Sequence, residues 1–227
     1  MSLIVLEGLD GSGKGTQASL LFSAWQQTGC ACRRISFPDY ESPACEPVKM
    51  YLRGEFGKDV DSVNAYAAST FYAVDRFASF KKEWGQAYQA GEWILADRYT
   101  TSNMIYQLTK LPRDQWDEFL NWLADLEYEK MQLPKPDGVY YLDMPVEVSQ
   151  KLLLQRYAGD EKKKDIHEAD VAFLHHCRES ALYAAARFRW RVIPCANEGE
   201  PLARAVIAGA VRKAMEQDAL WPHTAKR

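Results

Sequence analysis

Near the start of the chain, Gly8-Leu9-Asp10-Gly11-Ser12-Gly13-Lys14-Gly15-Thr16 sets glycines and one lysine at the spacing of a phosphate-binding loop. Glycine lets successive backbone N–H groups turn inward around phosphate oxygens, and a helix beginning at the loop adds the partial positive charge of its N-terminus. Lys14 supplies a mobile point charge for the outer phosphates of a nucleoside triphosphate. The G-x-G-x-x-G spacing of dinucleotide sites does not fit this register. Directly after Lys14, where Ser or Thr ordinarily offers a hydroxyl to magnesium, stands Gly15, with Thr16 one place later.

Two further groupings have the residue types to handle a second, smaller anion. Asp97-Arg98 follows the apolar run Trp93-Ile94-Leu95-Ala96, and open α/β sheets place their ligands beyond such strand ends. A guanidinium there can grip a phosphate with two parallel hydrogen bonds. Tyr72 and Arg76 are four apart, so on a helix they share a face, offering a flat ring for a base and a donor for its carbonyl edge. Ser102, Asn103 and Tyr106 cluster by the same periodicity. Taken singly, each has a plainer reading: a helix-capping Asp beside a surface Arg, or a core aromatic with a solvated tip.

The elements that must position these groups are legible from apolar patterning. Leu3-Ile4-Val5-Leu6 runs without alternation, as a strand buried on both faces does, and similar runs recur at Trp93–Ala96, Val139–Leu142 and Trp190–Ile193, with a more polar one at Arg33–Phe37. Between them, helical spacing covers Gly15–Gln27, Ser62–Ala90, Thr101–Leu108, Asp114–Met131, Pro145–Gln155, Glu168–Phe188 and Pro201–Gln217. Strands joined by helix-length segments need crossover connections, which predicts an α/β fold with a parallel sheet covered on both faces. The 227 residues, against ~150 for a typical domain, contain no repeat and no stretch long enough for a linker, so 1–227 is expected to be a single domain.

Composition narrows the function. Lys and Arg total 28 against 31 Asp and Glu, a net charge of −3, which gives no electrostatic drive toward nucleic acid or an anionic membrane. No apolar run approaches the ~18 residues of a membrane span. The first ten residues include Glu7 and Asp10 and no basic leader, so the expected location is cytoplasmic. The cysteines at 30, 32, 45, 177 and 195 lack the C-x-x-C spacing of a metal or redox site and read as buried thiols, Cys30 and Cys32 sharing one face of a strand.

These motifs, taken in order, resemble the thymidylate kinases among the P-loop nucleoside monophosphate kinases. The resemblance spans nearly the whole chain and rests on the loop containing Asp10, Phe37-Pro38-Asp39-Tyr40, Phe71-Tyr72-Ala73-Val74-Asp75-Arg76, Asp97-Arg98-Tyr99, Ser102-Asn103 through Tyr106-Gln107, and Leu133–Asp137. It implies a three-layer P-loop NTPase fold: a five-stranded parallel sheet, helices on both faces and a short lid. It further implies transfer of a phosphoryl group from ATP to dTMP with Mg2+. By the resemblance, Arg98 grips the dTMP phosphate, Tyr72 (usually Phe in the family) stacks on thymine, and Arg76 meets a pyrimidine oxygen. Asn103 helps to read the base, with Ser102 beside it, and Tyr106 packs where a ribose 2′-hydroxyl would sit. Phe37 and Tyr40 wall the acceptor pocket. Asp10 lies near the sugar 3′-hydroxyl and the metal, with Asp97 as a second carboxylate at the metal. ATP is expected on residues Gly8 to Thr16.

Family members keep a phosphate-bridging arginine either in the loop, where this chain has Gly11, or in the lid. The lid corresponds to Arg156 to about residue 166, so the resemblance points to Arg156, or to Lys162, Lys163 and Lys164, while His167 and Glu168 open the next helix with capping as plausible as catalysis. A homodimer pairing through the long helices is also implied, with no nucleic-acid or membrane partner. The Gly13-Lys14-Gly15-Thr16-Gln17 segment is similar to adenylate kinases too, and deoxynucleoside kinases use a related fold. A silent nucleotide-binding module is the alternative outside the enzymes. The Tyr72/Arg76 pair and the Asn103/Tyr106 face favour thymidylate.

Overall fold

The structure, a computed structural model, describes residues 1–57, 59–156 and 171–222. Five parallel strands form the sheet: β1 (Ser2–Gly8), β2 (Cys32–Ser36), β3 (Trp93–Asp97), β4 (Gly138–Asp143) and β5 (Arg191–Pro194), in the order β2-β3-β1-β4-β5. The unbroken apolar character of β1 has a direct cause. Leu3 and Val5 enter one core and Ile4 and Leu6 the other, all fully buried. Each such side chain contributes ~1.5–3 kcal/mol by leaving water.

The helices divide between these two cores. Helices α1 (Lys14–Gln27) and α9 (Arg204–Gln217) cover one face of the sheet. The other face is covered by α3 (Ala65–Ser79), α5 (Thr100–Tyr106), α6 (Trp116–Ala124) and α8 (Val171–Phe188). Helix α7 (Val146–Arg156) follows β4. This is the expected architecture of helices on both faces of a parallel sheet.

Three local features differ from the sequence reading. The helix expected over Ser62–Ala90 begins at Ala65, where Asn64 accepts a hydrogen bond from the Ala67 N–H. It then loosens into a π-helical turn over Phe80–Trp84 before α4 (Gly85–Gln89). A short helix, α2 (Glu46–Leu52), arises between β2 and α3, where helical spacing placed none; Pro47 stands in its first turn, where its missing N–H costs nothing. A small hairpin, β6 (Ala196–Asn197) with β7 (Glu200–Pro201), lies between β5 and α9; strands of two residues leave no periodicity to read. No two cysteines are joined in a disulfide, and Cys30 and Cys32 are half-buried rather than buried, because they flank the start of the edge strand β2.

Candidate active site

The carboxyl ends of β1, β3 and β4 open into a cleft of about 1260 Å³. Its donor end is the loop between β1 and α1. Asp10 to Thr16 line it, while Gly8 and Leu9 lie buried behind. Gly13 adopts a left-handed conformation, φ 84°, as the cap of α1, and among the described residues no side chain caps the helix N-terminus. The orphan N–H groups are thereby left to a ligand. Gly11 is also left-handed, and a Cβ on it would stand 2.7 Å from the carbonyl oxygen of Ser149, so α7 packs directly against the loop and leaves no room for a side chain there.

Lys14 donates from Nζ to the Leu9 carbonyl at 3.1 Å, with Asp10 at 4.0 Å. Burial and the Arg98 charge lower its pKa to about 8 against the opposing pull of Asp10 and Asp97. Burial alone would raise the Asp10 carboxyl, but Arg98, Lys14 and the Tyr106 hydroxyl outweigh it and hold the group down at about 2. Both Asp10 oxygens are engaged: Arg98 Nη2 donates to Oδ1 at 2.6 Å and the Tyr106 hydroxyl to Oδ2 at 3.2 Å.

Arg98 holds a left-handed backbone, φ 68°, unusual for a residue with a Cβ. Its N–H bonds the Leu6 carbonyl at 3.1 Å, and its guanidinium lies 5.0 Å from the Tyr106 ring centre. Beneath it is Glu7, fully buried. The Glu7 carboxylate accepts from Thr101 Oγ1 at 2.7 Å, from Ser102 Oγ at 2.9 and 3.0 Å, and from the Tyr99 N–H at 3.4 Å; Arg98 Nη1 in turn donates to Ser102 Oγ at 3.3 Å. Burial raises the Glu7 pKa, partly offset by Arg98 and these hydroxyls. Glu7 thus ties β1 to the first turn of α5 and through it to Arg98. Sequence reasoning passed over it, although a carboxylate ending an apolar strand was the available signal.

The acceptor wall is assembled from α2, α3 and α5. Phe37, Tyr40, Tyr72, Arg76, Ser102, Asn103 and Tyr106 all face the cleft, so the structure brings together every residue that the sequence placed at the acceptor. Arg76 is buried and paired: Nε and Nη2 donate to the two Glu127 oxygens at 2.7 and 2.6 Å, and Nη1 points at the Tyr99 carbonyl at 3.4 Å. Asn103 Nδ2 donates to the Ser69 carbonyl at 3.2 Å. Tyr72 packs with Tyr51, Val63 and Phe71 in a small separate cluster, and burial pushes its hydroxyl pKa up. Lys110 closes that corner, donating to Tyr51 Oη at 2.9 Å and the Val63 carbonyl at 2.8 Å, its pKa lowered to about 8 by burial. Gln107, also buried at the cleft, has an Oε1 without a hydrogen-bond partner among the described residues. Glu127, Tyr51 and Lys110 gave no local signal, since each reads as an ordinary amphipathic-helix or loop residue.

Asp97 ends β3 at the cleft, partly exposed. Arg156 closes α7; Lys162, Lys163, Lys164, His167 and Glu168 lie outside the described residues.

A nucleotide-phosphate loop facing a cationic, aromatic acceptor wall across a parallel-sheet switch point defines a P-loop nucleotide kinase. The chain belongs to the thymidylate kinase family, whose model matches residues 6–206. It is 30% identical over 184 residues to a thymidylate kinase of Mycobacterium tuberculosis, covering 80% of this chain and 84% of the relative. It is 26% identical over 176 residues to one of Plasmodium falciparum, covering 76% and 77%. A solved thymidylate kinase from Candida albicans shares the fold, with a TM-score of 0.68 at 21% identity over 97% of this chain and 93% of that one. As a member of this family the chain is a dTMP kinase, an ATP-dependent phosphotransferase that forms dTDP. Among the described residues no helix is long and apolar enough to cross a membrane.

Proposed function

We propose that this cleft performs dTMP phosphorylation with ATP on the Gly8–Thr16 loop and dTMP between Arg98 and the Tyr72 wall, in one domain spanning 1–227. The observation that supports this most is the meeting of the two ends at Asp10, whose oxygens are held by Arg98 and Tyr106 while its backbone belongs to the donor loop.

The second pKa of a monophosphate is near 6, so the attacking oxygen is already ionised at neutral pH and needs no base. It attacks the γ-phosphorus in line as the bond to the β–γ bridging oxygen breaks, and ADP leaves. The chain's task is to hold two polyanions together and neutralise the transferred group. Lys14 and the α1 N-terminus serve the donor phosphates. Arg98, fixed by Asp10 and Ser102, presents its fork to the acceptor phosphate. Tyr72 stacks on the base, Arg76 and Asn103 face its polar edge with Ser102 beside them, Phe37 and Tyr40 close the side, and Tyr106 with Asp10 takes the sugar.

Magnesium takes one or two carboxylates plus substrate phosphates rather than a closed protein cage. That suits a cleft whose lining offers the two carboxylates Asp10 and Asp97. Asp97 is the first candidate, partly exposed at the cleft, and Asp10, whose two oxygens are already held by Arg98 and Tyr106, is the second. When bound, the ion screens charge on the β- and γ-phosphates. The bridging cation is assigned to Arg156 in a lid of about residues 156–166. The close packing at Gly11 supports this, since it excludes a loop arginine and sets α7, the helix that Arg156 ends, against the phosphates. A cytoplasmic homodimer pairing through the α3–α4 and α6 segments completes the reading.

A coupled ADP-release assay across dTMP, dUMP, dCMP, dGMP, AMP and thymidine tests it. dTMP should turn over fastest and thymidine not at all; preference for AMP or for the nucleoside would overturn the acceptor assignment.

A further inference from the structure

The donor loop lacks the hydroxyl that ordinarily follows its lysine. A Cβ on Gly15 would stand 3.7 Å from Asp97 Oδ2, an ordinary contact, so a serine hydroxyl one bond further out would reach the carboxylate. In this chain another group is there. Arg34, on β2, places Nη2 3.5 Å from Asp97 Oδ2. Its Nη1 donates to Ser19 Oγ at 2.8 Å, and Ser19 Oγ donates to the Gly15 carbonyl at 2.8 Å. The guanidinium therefore links the first turn of α1 to the carboxylate that ends β3, across the gap left by Gly15.

We infer that Arg34 is a positioning residue of the donor site: it makes the contact to Asp97 that the absent hydroxyl would make, and its charge sets how strongly donor binding depends on a divalent cation. The inference rests on the reading that ATP occupies the loop. With Arg34 in place the Asp97 charge is balanced, so a triphosphate without metal meets little repulsion. Without Arg34 the bare carboxylate repels a metal-free triphosphate and favours one carrying a dication.

The test is calorimetric titration of β,γ-imido-ATP, in Mg2+ and in EDTA, which reads binding and not turnover. Arg34→Ala should widen the ratio of the two affinities by about fivefold, the scale of one partly exposed ion pair, mainly by weakening the metal-free complex. Arg34→Lys, which keeps the charge, should stay near the wild-type ratio. Gly15→Ser added to Arg34→Ala should recover part of the change by giving Asp97 a hydroxyl donor. In an Asp97→Asn background, Arg34→Ala should leave the ratio unaltered, because no unpaired carboxylate remains. Affinity for dTMP, measured on the same samples, should match wild type and reports that each variant is folded. An unchanged ratio in Arg34→Ala, or an equal widening in the Asp97→Asn background, overturns the role of Arg34 and leaves the loop assignment standing. Absence of analogue binding to the wild-type protein overturns both.

Discussion

The two ends of the cleft are built by different means. At the end we assign to the donor, the cleft is lined by seven consecutive residues, Asp10 to Thr16, with left-handed glycines and a helix start that suit backbone N–H groups to phosphate. At the acceptor end the lining groups are side chains held by partners far away in the chain: Arg76 by Glu127, Arg98 by Asp10, Ser102 by Glu7. Phosphate is the same anion in every nucleotide, so a backbone cradle suffices for it. A base and a deoxyribose must be told from near relatives, and that takes side chains locked from behind.

Removing a partner from behind the acceptor wall should therefore damage the scaffold, while removing a cation that faces a phosphate should damage binding or the reaction and leave the fold intact. The largest effect is expected for Glu127→Leu, which leaves the buried Arg76 guanidinium without its partner: a loss of ~3–5 kcal/mol in urea-unfolding stability. If the variant unfolds at the wild-type midpoint, the acceptor wall does not depend on that pair. Next, Lys14→Ala should lower single-turnover phosphoryl transfer by ~10²–10³-fold while calorimetry shows dTMP affinity nearly intact. A comparable loss in dTMP binding would mean that the two ends are not separable.

Arg98→Ala is expected to weaken dTMP by ~10–100-fold and thymidine far less, since its proposed partner is the phosphate; equal losses would make it a structural residue only. Asp75 sharpens the contrast from another side. It lies fully buried on α3, accepts the Asp39 N–H at 2.9 Å through Oδ2, and among the described residues has no hydrogen-bond partner at Oδ1. Burial raises its pKa to about 6, with the Asp39 N–H and Arg76 opposing. A carboxyl whose folded pKa exceeds its unfolded value favours folding only while protonated, and the favour is lost as pH rises from about 4 through 6. Asp75→Asn should therefore stabilise the protein at pH 7–8 by on the order of 1 kcal/mol and have little effect at pH 4, read as shifts in Tm.

The smallest expected effect is at the donor lysine. Its depressed pKa means that nucleotide binding above pH 7 must draw a proton onto Lys14. Affinity for β,γ-imido-ATP should thus fall about twofold between pH 7 and pH 8, and Lys14→Arg should flatten that slope. A slope that persists in the arginine variant assigns the titration elsewhere.

What could be read along the chain follows the same division. The succession of strands and helices, the loop and its lysine were legible because each is encoded by neighbouring residues: β1 by four apolar residues in a row, the loop by glycine spacing, α1 by the periodicity that follows. The acceptor residues Tyr72, Arg76, Asn103 and Tyr106 were placed by helical spacing together with a family resemblance, and the cleft contains all four. Spacing did not disclose Glu7 beneath Arg98, Glu127 across from Arg76, Lys110 against Tyr51, or Arg34 at Asp97. Nor did it disclose α2 or the hairpin, which are too short to show a period.

The physical reason is range. Backbone conformation, helix starts and the burial of a strand on both faces depend on residues within a few positions, and these the sequence by itself determined. A buried charge is stable only against a partner, and which partner meets it is decided by how strands and helices stack: Glu7 and Ser102 are 95 residues apart, and Arg98 and Asp10 are 88 apart. Only the tertiary structure brought those pairs together, because the parallel sheet lines up the ends of β1 and β3, with Leu6 beside Asp97, and so sets the loop after one strand against the arginine after the other.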